Sequence, residues 1–415
     1  MSGYYESREI RSHAEREKDH NDRLSAMIRR GYEQSRRVRE TMDERGLNPS
    51  DISTLSDLER LPVVSREQLI AWEGEEPPFG GLSPVDTKAD RIFTSPGPVY
   101  EPHLGEADRL WARGYHAAGF SDRDIVINTF SYHMVAAGLT FHEGLRALGA
   151  TVVPAGTAST EQQVHLIKDL SVTGYTGTPS FLKAIIDKAE ATGYDVKGDL
   201  QLKRASFVAE PLAPSLRRVF EEDYCIDTYQ MYGATEVGDI AYECSEKRGW
   251  HLGEEVIVEI VDPETGRNVE PGILGEVVVT RVNDLFFLFR FGTGDLSRLI
   301  TDECPCGRTA YRLDGIAGRI GDAVKVRGMF IAPSQLKKVR EYFIDHPFQV
   351  IVTRESHRDH VTVRIESDKD SSDLINRFMG VFRDVCTVAV DTCESVAPGS
   401  IPDDAPPLVD ERDWN

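Results

Sequence analysis

Long apolar runs are missing from this chain. No stretch approaches the ~18–20 consecutive apolar residues that a helix needs to cross a bilayer. The opening, MSGYYESREIRSHAERE, is charged from the start and has no apolar centre of the kind a secretory leader requires. A soluble, cytoplasmic protein is the expectation. Cysteine is scarce, six in 415 residues. That excludes a disulfide framework and leaves the thiols for core packing or metal binding in a reducing compartment. Basic charge is in deficit: 48 Lys and Arg face 69 Asp and Glu, a formal net charge of −21. Such an excess repels polyanions and argues against general binding to nucleic acid or an anionic membrane. No G-x-G-x-x-G opens a helix, which removes the dinucleotide fingerprint. Internal repeats and low-complexity tracts are absent as well.

What is present is a globular composition long enough for two or three domains. Residues from about 6 to 46 carry Leu24, Met27, Ile28 and Tyr32 at helical spacing, an amphipathic helix or helix pair packed on the main body. Ser65-Arg-Glu-Gln68 has the spacing of a capping box. From about 88 to 240, short Val- and Ile-rich runs (DIVINTF, TVVPAG, LKRASFVAEP) alternate with helical patterns closed by glycine (FHEGLRALGA, PSFLKAIIDKAEATG). This alternation predicts an α/β fold with mostly parallel sheets and flanking helices. Beyond about 250 the texture is β-rich, a subdomain of alternating strands such as EEVIVEIVDPETG and LGEVVVTRV. The domain reading is a large unit over 1–318 and a small α+β unit over 319–415, with a Pro- and Asp-rich tail lying over a surface.

Three segments carry candidate chemistry. Tyr232-Gly-Ala-Thr-Glu236-Val-Gly238 runs from a strand into a glycine turn that presents a hydroxyl and a carboxylate. Arg290-Phe-Gly-Thr-Gly-Asp295 lets backbone approach closely, and its carboxylate suits the diol of a ribose. Gly318-Arg319-Ile-Gly-Asp322-Ala-Val-Lys325-Val-Arg-Gly328 falls where the texture changes and reads as a charged hinge. A capped turn, a tight loop and an exposed linker are the bland readings of the three.

Together and in this order, they resemble the adenylate-forming acid ligases. RLPVVSREQL, CPCGRT and GMFIAPSQL are similar to the phenylacetate–coenzyme A ligase branch, and the likeness covers roughly residues 55 to 402. The resemblance implies a ligase that joins an aromatic or arylacetic acid to AMP from ATP and passes it to coenzyme A. It implies Mg²⁺ held at Glu236, with Thr235 on phosphate and Asp295 on the ribose near Arg319. Ala209, Glu210 and Pro211, with Tyr232 and Gly233, would frame the adenine. His133 and the Gly177-Thr178-Pro179 turn would line the acid pocket. Asp322 would be the pivot of a mobile small domain, with Lys325 serving a second conformation. The alternatives keep the adenylate but change the acid or acceptor (an amine, a carrier thiol, an unusual oxyanion such as nitrite), or retain the fold as a nucleotide- or acyl-CoA-binding homologue. The expected partners are small molecules, without nucleic acid or membrane, and a homodimer is compatible with them.

Cys244, His251, Cys304 and Cys306 form a Cys₃His set of the type that closes around structural Zn²⁺. Reduced core cysteines plus an unrelated turn pair are the alternative, although similar cysteines occur in some relatives of the branch. Cys225, Cys386 and Cys393 read as core or surface thiols.

Two departures stand against the family pattern. The phosphate loop is represented by TSPGPVYEP, where Ser95 and Gly97 remain but Pro96 and Pro98 lack amide hydrogens and Glu101 replaces a lysine. The tail GSIPDDAPPLVDERDWN has no lysine where the family places a catalytic one.

Overall fold

The computed structural model describes residues 3–84, 86–95, 99–273, 275–320, 324–327, 329–331, 333–355, 357–367, 372–386, 388–402 and 405–412. The chain divides into two compact units. The first comprises Met1–Gly177, Ile185–Val208 and Phe220–Gly318; the second comprises Thr178–Ala184, Ala209–Val219 and Arg319–Asn415.

In the first unit, α1 (His13–Gln34) starts at Ser12, whose side chain accepts the Glu15 N–H while Glu15 reaches back to the Ser12 N–H. The predicted apolar stripe is real: Leu24, Met27 and Ile28 are fully buried, and α2 (Arg36–Asp43) adds Val38 and Met42. These side chains pack with Val277, Val279, Phe287 and Phe289 in one core. Helix α3 (Arg66–Glu75) is capped by Ser65, whose hydroxyl accepts the Gln68 N–H at 3.2 Å.

Strands β1 (Arg91–Ser95) and β2 (Val99–His103) pair as an antiparallel hairpin in which Ser95 faces Val99 and Phe93 faces Glu101. The main sheet begins with β3 (Ile125–Asn128), β4 (Thr151–Val153), β5 (Gly174–Gly177), β6 (Arg204–Phe207), β7 (Asp227–Ala234), β8 (Gly238–Glu243) and β9 (Trp250–Leu252). An antiparallel sheet follows from β10 (Val256–Val261), β11 (Gly275–Arg281) and β12 (Phe291–Ser297). Two short strands, β13 (Leu299–Ile300) and β14 (Arg312–Leu313), return to the main sheet, whose order is β13-β14-β9-β8-β7-β6-β5-β3-β4.

Its β4-β3-β5-β6-β7 half is parallel and the remainder antiparallel. The change of direction has a chemical cause. Helices such as Ala137–Ala147 and Thr160–Asp169 supply crossovers between the early strands, whereas Thr235–Val237 is only a tight turn and forces a hairpin. The fold is therefore α/β, with the β-rich texture after residue 250 divided between two sheets.

The second unit has a long antiparallel pair, Phe348–Glu355 with Arg358–Glu366, flanked by Thr392–Val396 and Leu408–Asp410 in parallel. Helix Ser372–Cys386 buries Phe378, Phe382 and Cys386 against Val350, Val352, Val361 and Val363. The Pro-rich tail differs from the surface segment expected of it. Leu408 is buried, and residues 408–410 complete an edge of the sheet.

Candidate functional site

The first two candidate segments meet in the first unit. Strand β7 delivers Tyr232, whose hydroxyl donates to Asp295 Oδ2 on β12 at 2.8 Å. The ladder between β7 and β8 slips between Tyr232 and Gly233. Only glycine fits the second position, because a Cβ there would lie 2.4 Å from the Gly238 carbonyl and 2.6 Å from the Trp111 ring. On β12, the Gly294 N–H donates to Glu276 at 3.1 Å and the Asp295 N–H to Thr293 Oγ at 3.1 Å, which fixes the carboxylate's stem.

The Glu236 side chain is entirely buried and pairs with Arg66, the first residue of α3. The Thr235 hydroxyl donates to its second oxygen at 3.3 Å. Arg66 also donates to Ser95 Oγ at 2.9 Å, and Ser95 in turn donates to Glu101 Oε1 at 2.6 Å. Glu101 thus turns inward, 2% exposed. Burial and then repulsion from Glu236 push its carboxyl up to about 7, against hydrogen bonds from Ser95 and Thr235 and the nearby Arg66. Glu73 on α3 accepts the Tyr100 N–H at 2.8 Å and is likewise pushed up to about 7, first by burial and then by Glu101 and Glu236.

Three carboxyls, Glu73, Glu101 and Glu236, and the Arg66 guanidinium therefore form one buried cluster at the turn that follows β7. Sequence reasoning missed Arg66 and Glu73. Both sit in the short helix α3, whose sequence has no marked apolar face, and the only signal was that Arg66 belongs to the branch-like RLPVVSREQL. Of the loop itself, Gly97, Pro96 and Pro98 lie outside the described residues.

The other candidates divide. His133 is exposed and its N–H donates to Ser131 Oγ at 3.2 Å. Gly177 ends β5 where a Cβ would lie 2.1 Å from Thr129 Oγ1. In the second unit, the Thr178 and Ser180 hydroxyls are 3.3 Å apart and Pro179 opens the helix Pro179–Ala191. Ala209 has φ +72, and Glu210 accepts Ser180 Oγ–H at 2.6 Å and pairs with Arg354 at 3.2 Å. Burial pushes the Glu210 carboxyl up. Pro211 follows it in an irregular segment, and Arg319 is half-buried. Lys325 lies in the strand Val324–Val326, and its side chain is outside the described residues, as is Asp322.

Cys244, His251, Cys304 and Cys306 converge: their donor atoms all lie within 4.8 Å of one another. Cys244 Sγ is 3.8 Å from Cys304 Sγ, and Cys306 Sγ is 3.3 Å from His251 Nε2. His251 is fully buried with Nδ1 3.2 Å from the Ala310 carbonyl, which leaves Nε2 as the lone-pair nitrogen aimed at the thiols. The hydrogen bond from Cys244 holds the Cys306 thiol far below its ordinary value. Three sulfurs and one imidazole nitrogen at this spacing fit a closed tetrahedral zinc centre with no open position. Among the other thiols, Cys386 is buried, Cys393 half-buried and Cys225 exposed.

The family described as AMP-binding enzyme matches residues 106–283. Phenylacetate-coenzyme A ligase of Thermus thermophilus is 30% identical over 361 residues, 83% of this chain and 80% of that protein. The same-named enzyme of Aromatoleum evansii is 31% identical over 370 residues, 85% of this chain and 81% of that protein. Among solved structures, 2-hydroxyisobutyryl-CoA ligase with its acyl-AMP and CoA in the thioesterification state superposes with TM-score 0.88 and 25% identity, over 100% of this chain and 93% of that one. The same enzyme in the postadenylation state with 2-HIB-AMP gives TM-score 0.73 and 25% identity, over 99% and 93%.

Proposed function

The chain belongs to the phenylacetate–coenzyme A ligase family of AMP-binding enzymes and is an AMP-forming acid–CoA ligase; from that premise we propose that its acid is aromatic or arylacetic. The observation that carries the site assignment is the 2.8 Å hydrogen bond from Tyr232 to Asp295 beside the buried Glu236. It ties a carboxylate suited to a ribose diol to the strand β7 that leads into the turn carrying Glu236, a carboxylate suited to a hard cation.

In the first step an acid oxygen attacks the α-phosphorus of ATP, the bond to the β-phosphate bridging oxygen breaks and pyrophosphate leaves. In the second, the coenzyme A thiolate adds to the acyl carbon and AMP leaves with its oxygen. Both steps bring anions together, so the protein's part is to place fixed cations and donors where negative charge grows. Asp295 and Tyr232 orient the ribose. Arg66 sets the Glu236 carboxylate and supplies positive charge at the head of α3. Glu236 would hold Mg²⁺, which neutralises phosphate charge when bound, and Thr235 would hydrogen-bond the phosphate. Ala209, Glu210, Pro211 and Gly233 are proposed for the adenine, with Arg319 close to the nucleotide. His133, Gly177, Thr178 and Pro179 are proposed for the acid. Asp322 is proposed as the pivot and Lys325 as a residue of the alternate conformation.

A structural Zn²⁺ at the Cys₃His centre completes the cofactor proposal. No helix among the described residues is long and apolar enough to cross a membrane, and we place the enzyme in the cytoplasm, as a monomer or homodimer. The test is an acid panel with pyrophosphate release and mass detection of products, with and without coenzyme A. Acyl-CoA formed from an aryl or arylacetic acid is the expected product. Turnover that ignores coenzyme A overturns the proposed acceptor, and turnover confined to aliphatic acids overturns the proposed acid.

A further inference from the structure

We propose that residues 3–16 form a strap whose docking is controlled by metal at the Cys₃His centre, with Arg308 as the coupling residue; this rests on the zinc reading above. The segment 301–311, which carries two of the four ligands, contains no helix or strand. Its shape must come from ties to other segments; besides Arg312 on Asp302 and the Leu252 N–H on the Tyr311 carbonyl, these are chiefly the convergent thiols and imidazole and the N-terminal residues.

The second set is extensive. The Tyr4 hydroxyl donates to the Cys306 carbonyl at 3.2 Å. The Thr309 N–H donates to the Glu9 carbonyl at 3.0 Å, and its hydroxyl to the Arg11 carbonyl at 2.5 Å. Arg16 on α1 donates to the same hydroxyl at 3.0 Å. His13 stacks on Tyr311 with ring centres 4.6 Å apart. Gly307, at φ +83, lies so close to the strap that a Cβ would be 2.2 Å from the Tyr4 hydroxyl.

Arg308 touches both systems. Its backbone N–H donates to Cys306 Sγ at 3.4 Å, the contact a metal-bound thiolate seeks. Its guanidinium donates to Glu9 Oε2 at 2.6 Å and lies over the Tyr4 ring at 5.4 Å. Both partners of that ion pair are buried, Arg308 at 6% and Glu9 at 1% exposure. A buried pair is stable only while its geometry holds, and loosening one partner leaves the other charged and without compensation. Metal fixes the Cys304-Pro305-Cys306 turn and so keeps Arg308 in place; without metal the turn relaxes and the pair separates into water. The strap also anchors elsewhere in the first unit: Glu6 and Glu255 hold the fully buried Arg113, and Arg11 and Arg16 pair with Glu254. Release of the strap would therefore strip Arg113 of one of its carboxylates.

The test is hydrogen exchange of the full chain, zinc-loaded and chelated, with zinc measured in the same samples by elemental analysis. Loss of one equivalent of zinc should speed exchange over residues 4–16 by about tenfold or more while peptides from 348–366 stay unchanged. Arg308→Gln should open the strap even with zinc bound. By linkage it should weaken zinc by the factor by which zinc protects the strap, a coupling of roughly 5–150-fold. Less than about half an equivalent of zinc after loading overturns the metal reading and the proposal with it. A full equivalent with identical strap exchange before and after chelation overturns the coupling alone.

Discussion

Replacing Glu101 by glutamine tests the electrostatics of the pocket most directly. Gln keeps an acceptor for the Ser95 hydroxyl, so the 2.6 Å contact survives while the ionisable proton is removed. In the folded protein the carboxyl is raised from 4.5 to about 7. It therefore binds its proton more tightly folded than unfolded, and folding loses stability as pH rises through that window. The penalty in the parent is absent well below pH 4.5. It grows to about 1 kcal/mol at pH 5, about 2 kcal/mol at pH 6 and about 3 kcal/mol at pH 8. Glu101→Gln removes it. Thermal unfolding followed by circular dichroism should then show the variant melting about 5 °C above the parent at pH 8, with the gap closing toward pH 5. Relief of Glu73, whose carboxyl Glu101 helps to raise, acts in the same direction. A gap that is the same at pH 5.5 and 8, or a variant less stable at pH 8, would mean that Arg66 already neutralises Glu101, and the repulsion argument would be wrong.

Glu236→Gln removes the proposed cation ligand and the partner of Arg66; adenylate formation, read as acid-dependent pyrophosphate release, should fall by about 10²-fold or more with the fold retained by circular dichroism. Tyr232→Phe keeps the ring and loses only the bond to Asp295, so the KM for ATP should rise about tenfold with kcat and Tm nearly unchanged. Arg290→Ala acts on stability. Arg290 is 1% exposed and bonds Glu259 at 3.0 Å, the Leu61 carbonyl at 2.7 Å and the Gly266 carbonyl at 2.6 Å. Leaving Glu259 buried and unpaired should lower stability by about 3–5 kcal/mol in urea titration.

What the sequence revealed was whatever has a local signature. The apolar stripe of α1, the Ser65 cap and the Val-rich strands are written in spacing and propensity, and they appear where those rules place them. The Tyr232 and Asp295 segments were legible because glycine must occupy the positions where backbones nearly touch. The thiol cluster was legible because Cys and His are rare and few arrangements satisfy four of them. Pairings between distant, common residues were not legible. Arg66 in a helix and Glu101 in a hairpin carry no mark of their shared contact with Ser95. Arg308 and Glu9, 299 positions apart, carry none either. The tail strand at 408–410 was hidden for a similar reason: its register is set by the neighbouring strand Phe348–Glu355, against a local composition that favours loop.

The inward turn of Glu101 changes what its charge means. As an exposed residue of a phosphate loop it would repel the ligand along the approach path. Buried on β2, it instead accepts the hydrogen bond of the Ser95 hydroxyl, which therefore already has an acceptor and cannot donate to phosphate without giving Glu101 up. The remaining positive group is Arg66, which bridges Ser95 and Glu236 and is about one-third exposed. Were all three carboxyls ionised, the pocket would carry two more negative charges than positive ones, and a polyphosphate would deepen the imbalance. A bound proton on Glu101 or Glu73 and a divalent cation arriving with the nucleotide both reduce it, and their effects should compete. Raising pH from 6 to 8 should therefore strengthen the magnesium dependence of nucleotide binding in the parent and do so less in Glu101→Gln. Calorimetric titration at the two pH values checks this, and a pH-independent magnesium requirement in both proteins would separate the carboxyl cluster from nucleotide binding altogether.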